Sequence, residues 1–328
     1  MKNNVITYFV TGLMLMLLAP GCEQKQPTST STTGIAKMAC DESFKNILEQ
    51  EIEVFEYQYP EANIMPYYMD EASALDSLLH SDFDLIIISK DLTQTQRDYL
   101  KSRSRAYRSR KIAVDAVAVI VNNGNDIDLM SMDDLREIFT GKAMRWGDLY
   151  PTVNRNDSIK VVFDGNGSGV VHYIKDKFLP AGAKFGPNVY AQASSQDVFK
   201  AVEHNRNAIG FIGVSWITAD MKGVEKTIDE KFNDLQNNNE VVAKDFTDKI
   251  RVLPLRGDGQ AQGVKPYQVY INTGDYPLVR VIWAIDAAPS GTLEHGFYSF
   301  LTGVIGQKII LQTGILPAGE PVRVVETY

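Results

Sequence analysis

Residues Phe163–Phe178 read FDGNGSGVVHYIKDKF, with three glycines and a serine between an apolar run and a helix-like stretch. So much bare backbone at the mouth of a helix has a physical use. A helix N-terminus presents unpaired N–H groups and a partial positive charge. Glycine lets an anion approach that backbone closely, and a hydroxyl adds a donor. Gly165, Gly167, Ser168 and Gly169 therefore suit a small oxyanion. They suit equally a tight turn in which Ser168 is a plain helix cap.

Working outward, two further loops share the design of apolar strand, small polar loop and helix: MACDESFKNI near residue 40 and LIIISKDLTQTQ near residue 90. In an α/β sheet, strand C-termini and helix N-termini share one edge, and ligands bind there. Along the chain, GIAKMAC, ANIMPYY, FDLIIIS, DAVAVIVN, IKVVFD, AIGFIGV, KIRVLPL and LVRVIWAI read as strands. Helical patterns with start signals lie between them: Ser43, Thr93 with Gln96, Ser131 with Asp134, and Ser194 with Asp197, while Gly141 closes the third. This alternation predicts an α/β protein of two lobes with mainly parallel sheets.

Enzyme motifs fit the glycine loop poorly. It lacks the third glycine of a dinucleotide fingerprint and the Lys-Ser/Thr pair of a P-loop. Asn166 stands where a hydrolase elbow needs glycine. His172 lies one helical turn after Ser168, without an evident orienting acid, so a lipid-anchored serine hydrolase is the weakest reading and no catalytic residue is assigned.

The chain has 328 residues, 44% hydrophobic and 23% charged, enough for two ordinary domains. Its formal net charge of −8 argues against nucleic acid as a partner. The overall field does not attract an anion either, so local groups have to hold one. Val5–Ala19 is an apolar run after Lys2, shorter than the roughly 20 residues of a membrane span, and reads as a secretory signal. LAPGC places Cys22 where bacterial lipoproteins are processed, with ordinary cleavage as the alternative. Residues 23–34, rich in Ser, Thr, Gln and Pro, read as a flexible tether. The second cysteine, Cys40, reads as a small buried hydrophobe; two cysteines and four scattered histidines make neither a disulfide framework nor a Cys/His zinc site. No metal or cofactor is expected. Lys101–Lys111 carries six basic residues in eleven, a solvated surface or a contact for an acidic partner or lipid headgroups. Asp220–Lys249 reads as an exposed polar insertion.

DAVAVIVN (115–122), LREIFTGKAMRWGDL (135–149), GSGV (167–170), SSQDVFKAVEHNRNAIGFIGV (194–214), YPLVRVIWAI (276–285) and GQKIILQTGILP (306–317) follow one another in an order that resembles the phosphate-binding lipoproteins feeding ABC importers, within the type II periplasmic binding proteins. The resemblance covers roughly Ile35 to the C-terminus, and IFTGK followed by Trp and Asp is its most specific part. It implies two hinged lobes closing on a solute without chemistry. The partners implied are inorganic phosphate or a similar oxyanion, an importer permease and a membrane reached through the lipid; the chain is read as a periplasm-facing monomer. The lobes are expected at residues 35–115 with 261–328, and at 116–260, after a leader 1–22. Carried over residue by residue, the resemblance implies Ser43 before Phe44 in the first loop, Ser89 and Lys90 in the second, and Asp164, Asn166, Gly167, Ser168, Gly169 and Val170 in the third. Val170 stands where the family has threonine and Asp164 where it has arginine. Losing a bidentate arginine removes about 1.5–3 kcal/mol of charge-assisted binding. Lys90 is the expected compensation; a same-fold binding protein or sensor for another solute is the alternative.

Overall fold

The computed structural model describes residues 29–151, 156–220 and 249–319. The leader, Cys22 and most of the polar insertion lie outside them. In chain order the elements are β1 (Gly34–Asp41), a 3-10 turn (Glu42–Phe44), α1 (Lys45–Gln58), β2 (Ala62–Met69), α2 (Glu71–His80), β3 (Leu85–Ile88), α3 (Gln94–Ser102), β4 (Arg108–Asn122), β5 (Met130–Ser131), α4 (Met132–Thr140) and α5 (Trp146–Leu149). They continue with β6 (Lys160–Phe163), α6 (Gly169–Phe178), β7 (Val189–Ala191), α7 (Ser195–His204), β8 (Ala208–Gly213), α8 (Val214–Asp220), β9 (Ile250–Val252), β10 (Leu255–Arg256), α9 (Gln268–Thr273), β11 (Val279–Asp286), α10 (Leu293–Leu301), α11 (Val304–Gln312) and β12 (Leu316–Pro317).

A 10-stranded mixed sheet runs β2-β1-β3-β11-β4-β8-β6-β7, with β9 and β12 also paired to β4. Its flanks are parallel, β2-β1-β3 on one side and β8-β6-β7 on the other. The centre is antiparallel, because β11 and β4 run against their neighbours. β4 joins the halves: it pairs with β11 as far as Ala116, then with β8 from Val117 on. The Leu278 carbonyl and the Tyr276 hydroxyl hold Val117 at this changeover, at 2.8 Å each. We call the β11 side lobe one and the β8 side lobe two.

Sequence explains most of the elements. LIII of β3 is buried throughout, as a strand covered on both faces must be. Thr93 with Gln96 and Ser131 with Asp134 form complete capping boxes, and Gly141 ends α4 at φ 74°. Trp146 is fully buried in lobe two, near a cluster in which the Phe139 ring lies 5.0 Å from both Phe178 and Phe211. Cys40 is buried and free.

Three local readings change. Ser43 does not cap α1; the Asp41 carboxylate caps the preceding 3-10 turn and also accepts from the Ser43 hydroxyl. Arg108–Lys111, part of the basic run set apart from the strands, form the start of β4, because β11 supplies their partners. Ser29–Gly34 lie against the body: Leu293 N donates to Ser29 Oγ at 3.1 Å and Gly34 N to the Glu61 carbonyl at 2.9 Å.

Candidate functional site

Three strand ends meet at one point between the lobes. β1 ends at Asp41, and its side chain turns toward lobe two. Asp41 Oδ1 accepts from Ser43 N at 2.8 Å and from Ser43 Oγ at 2.6 Å, while Oδ2 accepts from Gly169 N, the first residue of α6, at 2.6 Å. A carboxylate of lobe one therefore occupies the helix N-terminus of lobe two. Charge and dipole favour that position for an anion. β6 delivers Asp164, which accepts from the Ser168 hydroxyl, and Ser195 Oγ lies 3.3 Å from Asp164 Oδ2 and 3.2 Å from Glu42 Oε2. Ser168 Oγ also accepts from Val171 N at 3.2 Å, so Ser168 caps α6 while donating to Asp164. β3 delivers Ser89, whose hydroxyl donates to Glu71.

One arginine faces these acids, and it comes from β11. Arg280 Nε and Nη2 lie 3.0 and 2.8 Å from Asp115 Oδ2, and Nη1 donates to Ser43 Oγ at 3.0 Å. Its guanidinium carbon lies 4.4 Å from the Phe44 ring centroid. Arg280 and Asp115 are direct cross-strand partners, so the sheet register itself makes the pair. Gly169 is where the charges converge: a Cβ there would stand 2.7 Å from Asp41 Oδ2, 3.1 Å from Glu71 Oε2 and 3.2 Å from Arg280 Nη1. Only glycine admits all three. Gly167 is held as tightly, since its Cβ would meet the Asp70 Cβ at 2.6 Å.

The electrostatics are those of a site short of positive charge. Asp41, Asp115 and Asp164 are buried, and Glu42 and Glu71 lie beside them. Burial pushes the Asp41 carboxyl up, against the pull of Arg280 and the Ser43 hydrogen bonds. Burial raises Asp115 and Glu42 as well. Asp164 is pushed up to about 7, first by burial, with the Ser168 hydrogen bond opposing it. In each case burial favours the protonated, neutral form of the acid.

Of the residues read from the sequence, Ser43, Ser89, Asp164, Ser168 and Gly169 come together here, and Val170 is buried behind them in the first turn of α6. Gly167 shapes the loop, with its carbonyl accepting from Glu71 N at 3.3 Å. Asn166 is exposed on the outer side. Lys90 does not enter the cluster. It is exposed and pairs with Asp176 of α6, across the mouth between the lobes. Sequence reasoning missed Asp41 as a ligand of the helix, and missed Glu71, Asp115, Ser195 and Arg280. A signal for two of them was present: a charge inside each of the apolar strands VDAVAVIV and LVRVIWAI, since a buried charge demands a partner.

A model of the PBP superfamily domain matches residues 25–304. The chain belongs to the PBP superfamily. Among its relatives, the phosphate-binding protein PstS of Pseudomonas aeruginosa PAO1 is 24% identical over 322 residues, covering 94% of this chain and 89% of that one. The Bacillus subtilis 168 protein of the same name is 23% identical, covering 98% and 96%. Among solved structures, a phosphate-bound substrate-binding protein from Clostridium perfringens, ascribed to a phosphate ABC transporter, aligns with a TM-score of 0.66 over 87% of this chain and 100% of that one. An ABC-type phosphate transport receptor from Vibrio cholerae aligns at 0.58 with the same coverages. Both are 18% identical and show the PBP-type fold. Among the described residues of this PBP superfamily member, no helix is long and apolar enough to cross a membrane.

Proposed function

We propose that the chain is an extracytoplasmic solute-binding protein that holds phosphate or a related oxyanion at the start of α6 and hands it to an ABC importer. The carrying observation is the Asp41 carboxylate on Gly169 N at 2.6 Å, with Arg280 Nη1 beside it through Ser43. An oxyanion of the protein already uses the donors a ligand oxyanion needs. The ligand takes the place of that carboxylate, receiving Gly169 N, the Ser43 and Ser168 hydroxyls and the Arg280 guanidinium. Arg280 supplies from β11 the charge that Asp164 withholds in the third loop. The named relatives support the choice of phosphate. Asp41 and Asp164 admit the anion by carrying protons, so binding tightens as pH falls through about 7, the value to which burial pushes Asp164.

The same reading includes the leader processed at Cys22, a lipid anchor and a monomeric body facing the periplasm. It also takes the lobes as residues 35–115 with 261–328, and 116–260, which the change of pairing partner between Ala116 and Val117 supports. No reaction is assigned: the Ser168 hydroxyl is engaged by Asp164 and Val171 N rather than by His172. The crowding of acids favours one second reading, a neutral or cationic solute in the same cleft.

Calorimetry of the chain from residue 23 onward, stripped of ligand, tests the choice. Phosphate binds one to one, more tightly at pH 6 than at pH 8, and Ser168→Ala weakens it about tenfold, as loss of one hydrogen bond to a charged group does. No heat with phosphate, and heat with a neutral or cationic solute, replaces the first reading with the second.

A further inference from the structure

The basic run that the cleft leaves unused ends in a cavity at the opposite end of lobe one. Seven residues of β4 separate Arg108 there from Asp115 in the cleft, roughly 23 Å of strand. Arg108 and Arg110 of β4, with His295, Tyr298 and Ser299 of α10 and its C-cap Thr302, line a space of about 400 Å³.

Its charges are unevenly used. Arg108 Nη1 donates to Asp286 Oδ2 and to the Ala288 carbonyl, at 3.1 Å each, and Nη2 donates to Ser290 Oγ at 2.7 Å. Buried Asp286 is saturated: Oδ2 also lies 2.7 Å from His295 Nδ1, and Oδ1 accepts from Ala288 N at 2.9 Å. Arg110 has no ion pair or side-chain hydrogen bond among the described residues, and it is exposed. Tyr298 is 4% exposed, and its hydroxyl has no hydrogen-bond partner among the described residues. Buried phenol hydroxyls nearly always find a partner, and the unpaired one here belongs to a residue that lines the cavity. Burial acts most on that hydroxyl, and Arg110 and Arg108 act on it electrostatically against Asp286. A spare guanidinium, an unpaired buried hydroxyl and an acid already neutralised by neighbours together call for an anion.

We propose that this cavity binds the phosphate group of a phosphate ester, with the Arg110 guanidinium and the Tyr298 hydroxyl as its donors. The volume exceeds a bare ion and leaves room for the esterified alcohol. Two sources share this chemistry, a soluble phosphate ester and a phospholipid headgroup. The headgroup source rests on the lipid-anchor reading. The described chain enters at Ser29 on α10, the helix that carries Tyr298. Cys22 lies seven residues upstream, at most about 25 Å of extended chain. Headgroups at the anchor are therefore within reach of the cavity.

The test uses the unacylated chain from residue 23 onward, stripped of ligand, which keeps every described element; a phosphate ester held in the cleft instead is insensitive to Arg110→Gln. One arm measures sedimentation with phosphatidylglycerol–phosphatidylcholine vesicles against phosphatidylcholine alone. The other titrates glycerol 3-phosphate by calorimetry. Binding in either arm, lowered about fivefold or more by Arg110→Gln and by Tyr298→Phe but not by Lys111→Gln, supports the proposal, and the arm that responds identifies the source. Binding in neither arm overturns it. So does binding that Lys111→Gln weakens as much as Arg110→Gln, because the attraction is then diffuse charge. Since phosphate affinity of the cleft is measured separately, failure here is distinct from failure of the proposed function.

Discussion

Both ends of lobe one pair an arginine with an aspartate across the same two strands, yet the ends are wired oppositely. In the cleft, Arg280 of β11 faces Asp115 of β4; at the far end, Arg108 of β4 faces Asp286 of β11. The cleft pair is almost wholly buried, with side-chain exposures of 1% and 0%, whereas Arg108 is 40% exposed over a buried Asp286. The surplus differs in sign. Around Arg280 the remaining charges are carboxylates, so an anion enters only as protons or displaced carboxylates make room. Around Arg108 the remaining charge is Arg110, so an anion is received directly. On the two proposals, one strand pair builds two anion sites of different logic, set by which residue is left over.

The widest separation between the two ends comes from removing each arginine. Arg280→Gln leaves Asp115 buried without its partner and lowers unfolding stability by about 3–5 kcal/mol, as breaking a buried pair does. It also abolishes phosphate binding at micromolar concentrations. Arg108→Gln costs about 1 kcal/mol, because solvent screens the arginine and because His295 and Ala288 N still serve Asp286. Urea denaturation of the two variants reads the difference. Equal losses break the comparison.

A smaller effect, and one confined to the cleft, is the pH dependence. Asp164 is pushed up to about 7 by burial, so the folded protein holds a proton that an unfolded Asp, near 3.9, releases. Its contribution to stability is complete below about pH 4 and is lost as pH rises through about 7, a fall on the order of 4 kcal/mol. Asp164→Asn removes that slope from a plot of stability against pH, and a corresponding far-end variant, Tyr298→Phe, leaves it in place.

The contrast also explains what the sequence disclosed. The α/β alternation, the caps at Thr93 and Ser131 and the glycine loop at Ser168 are local patterns, and local patterns survive folding. Ser43, Ser89 and Ser168 were legible because each sits where a strand ends and a helix begins. Arg280 was not, because it lies inside a strand, and its meaning depends on β11 running antiparallel to β4 with Arg280 opposite Asp115. That register joins residues 165 positions apart. Asp41 lies in the first loop motif, and nothing local in the sequence ties it to Gly169 N, 128 residues away. Lys90 was assigned to the ligand from its neighbour Ser89, but a long flexible side chain at a loop reaches whatever acid is nearest, and here that is Asp176.

Lys90 therefore extends the series to its exposed limit. Exposure of the cation rises from 1% at Arg280 through 40% at Arg108 to 54% at Lys90, and the worth of each pair falls with it. Lys90→Gln lowers stability by about 0.2–1 kcal/mol at low salt, and by less at 1 M, where screening shortens to about 3 Å. Because Lys90 and Asp176 lie on opposite sides of the mouth, the pair also favours the closed arrangement, so phosphate leaves the variant up to about threefold faster, within the energy of one surface pair. Stopped-flow release of phosphate measures this. A slowing of release is incompatible with a latch. An affinity loss beyond tenfold shows instead that Lys90 leaves Asp176 on ligand entry and joins Arg280 as a second cation. The cleft then resembles the far end more than its resting geometry suggests, with a spare positive charge held in reserve outside rather than in place.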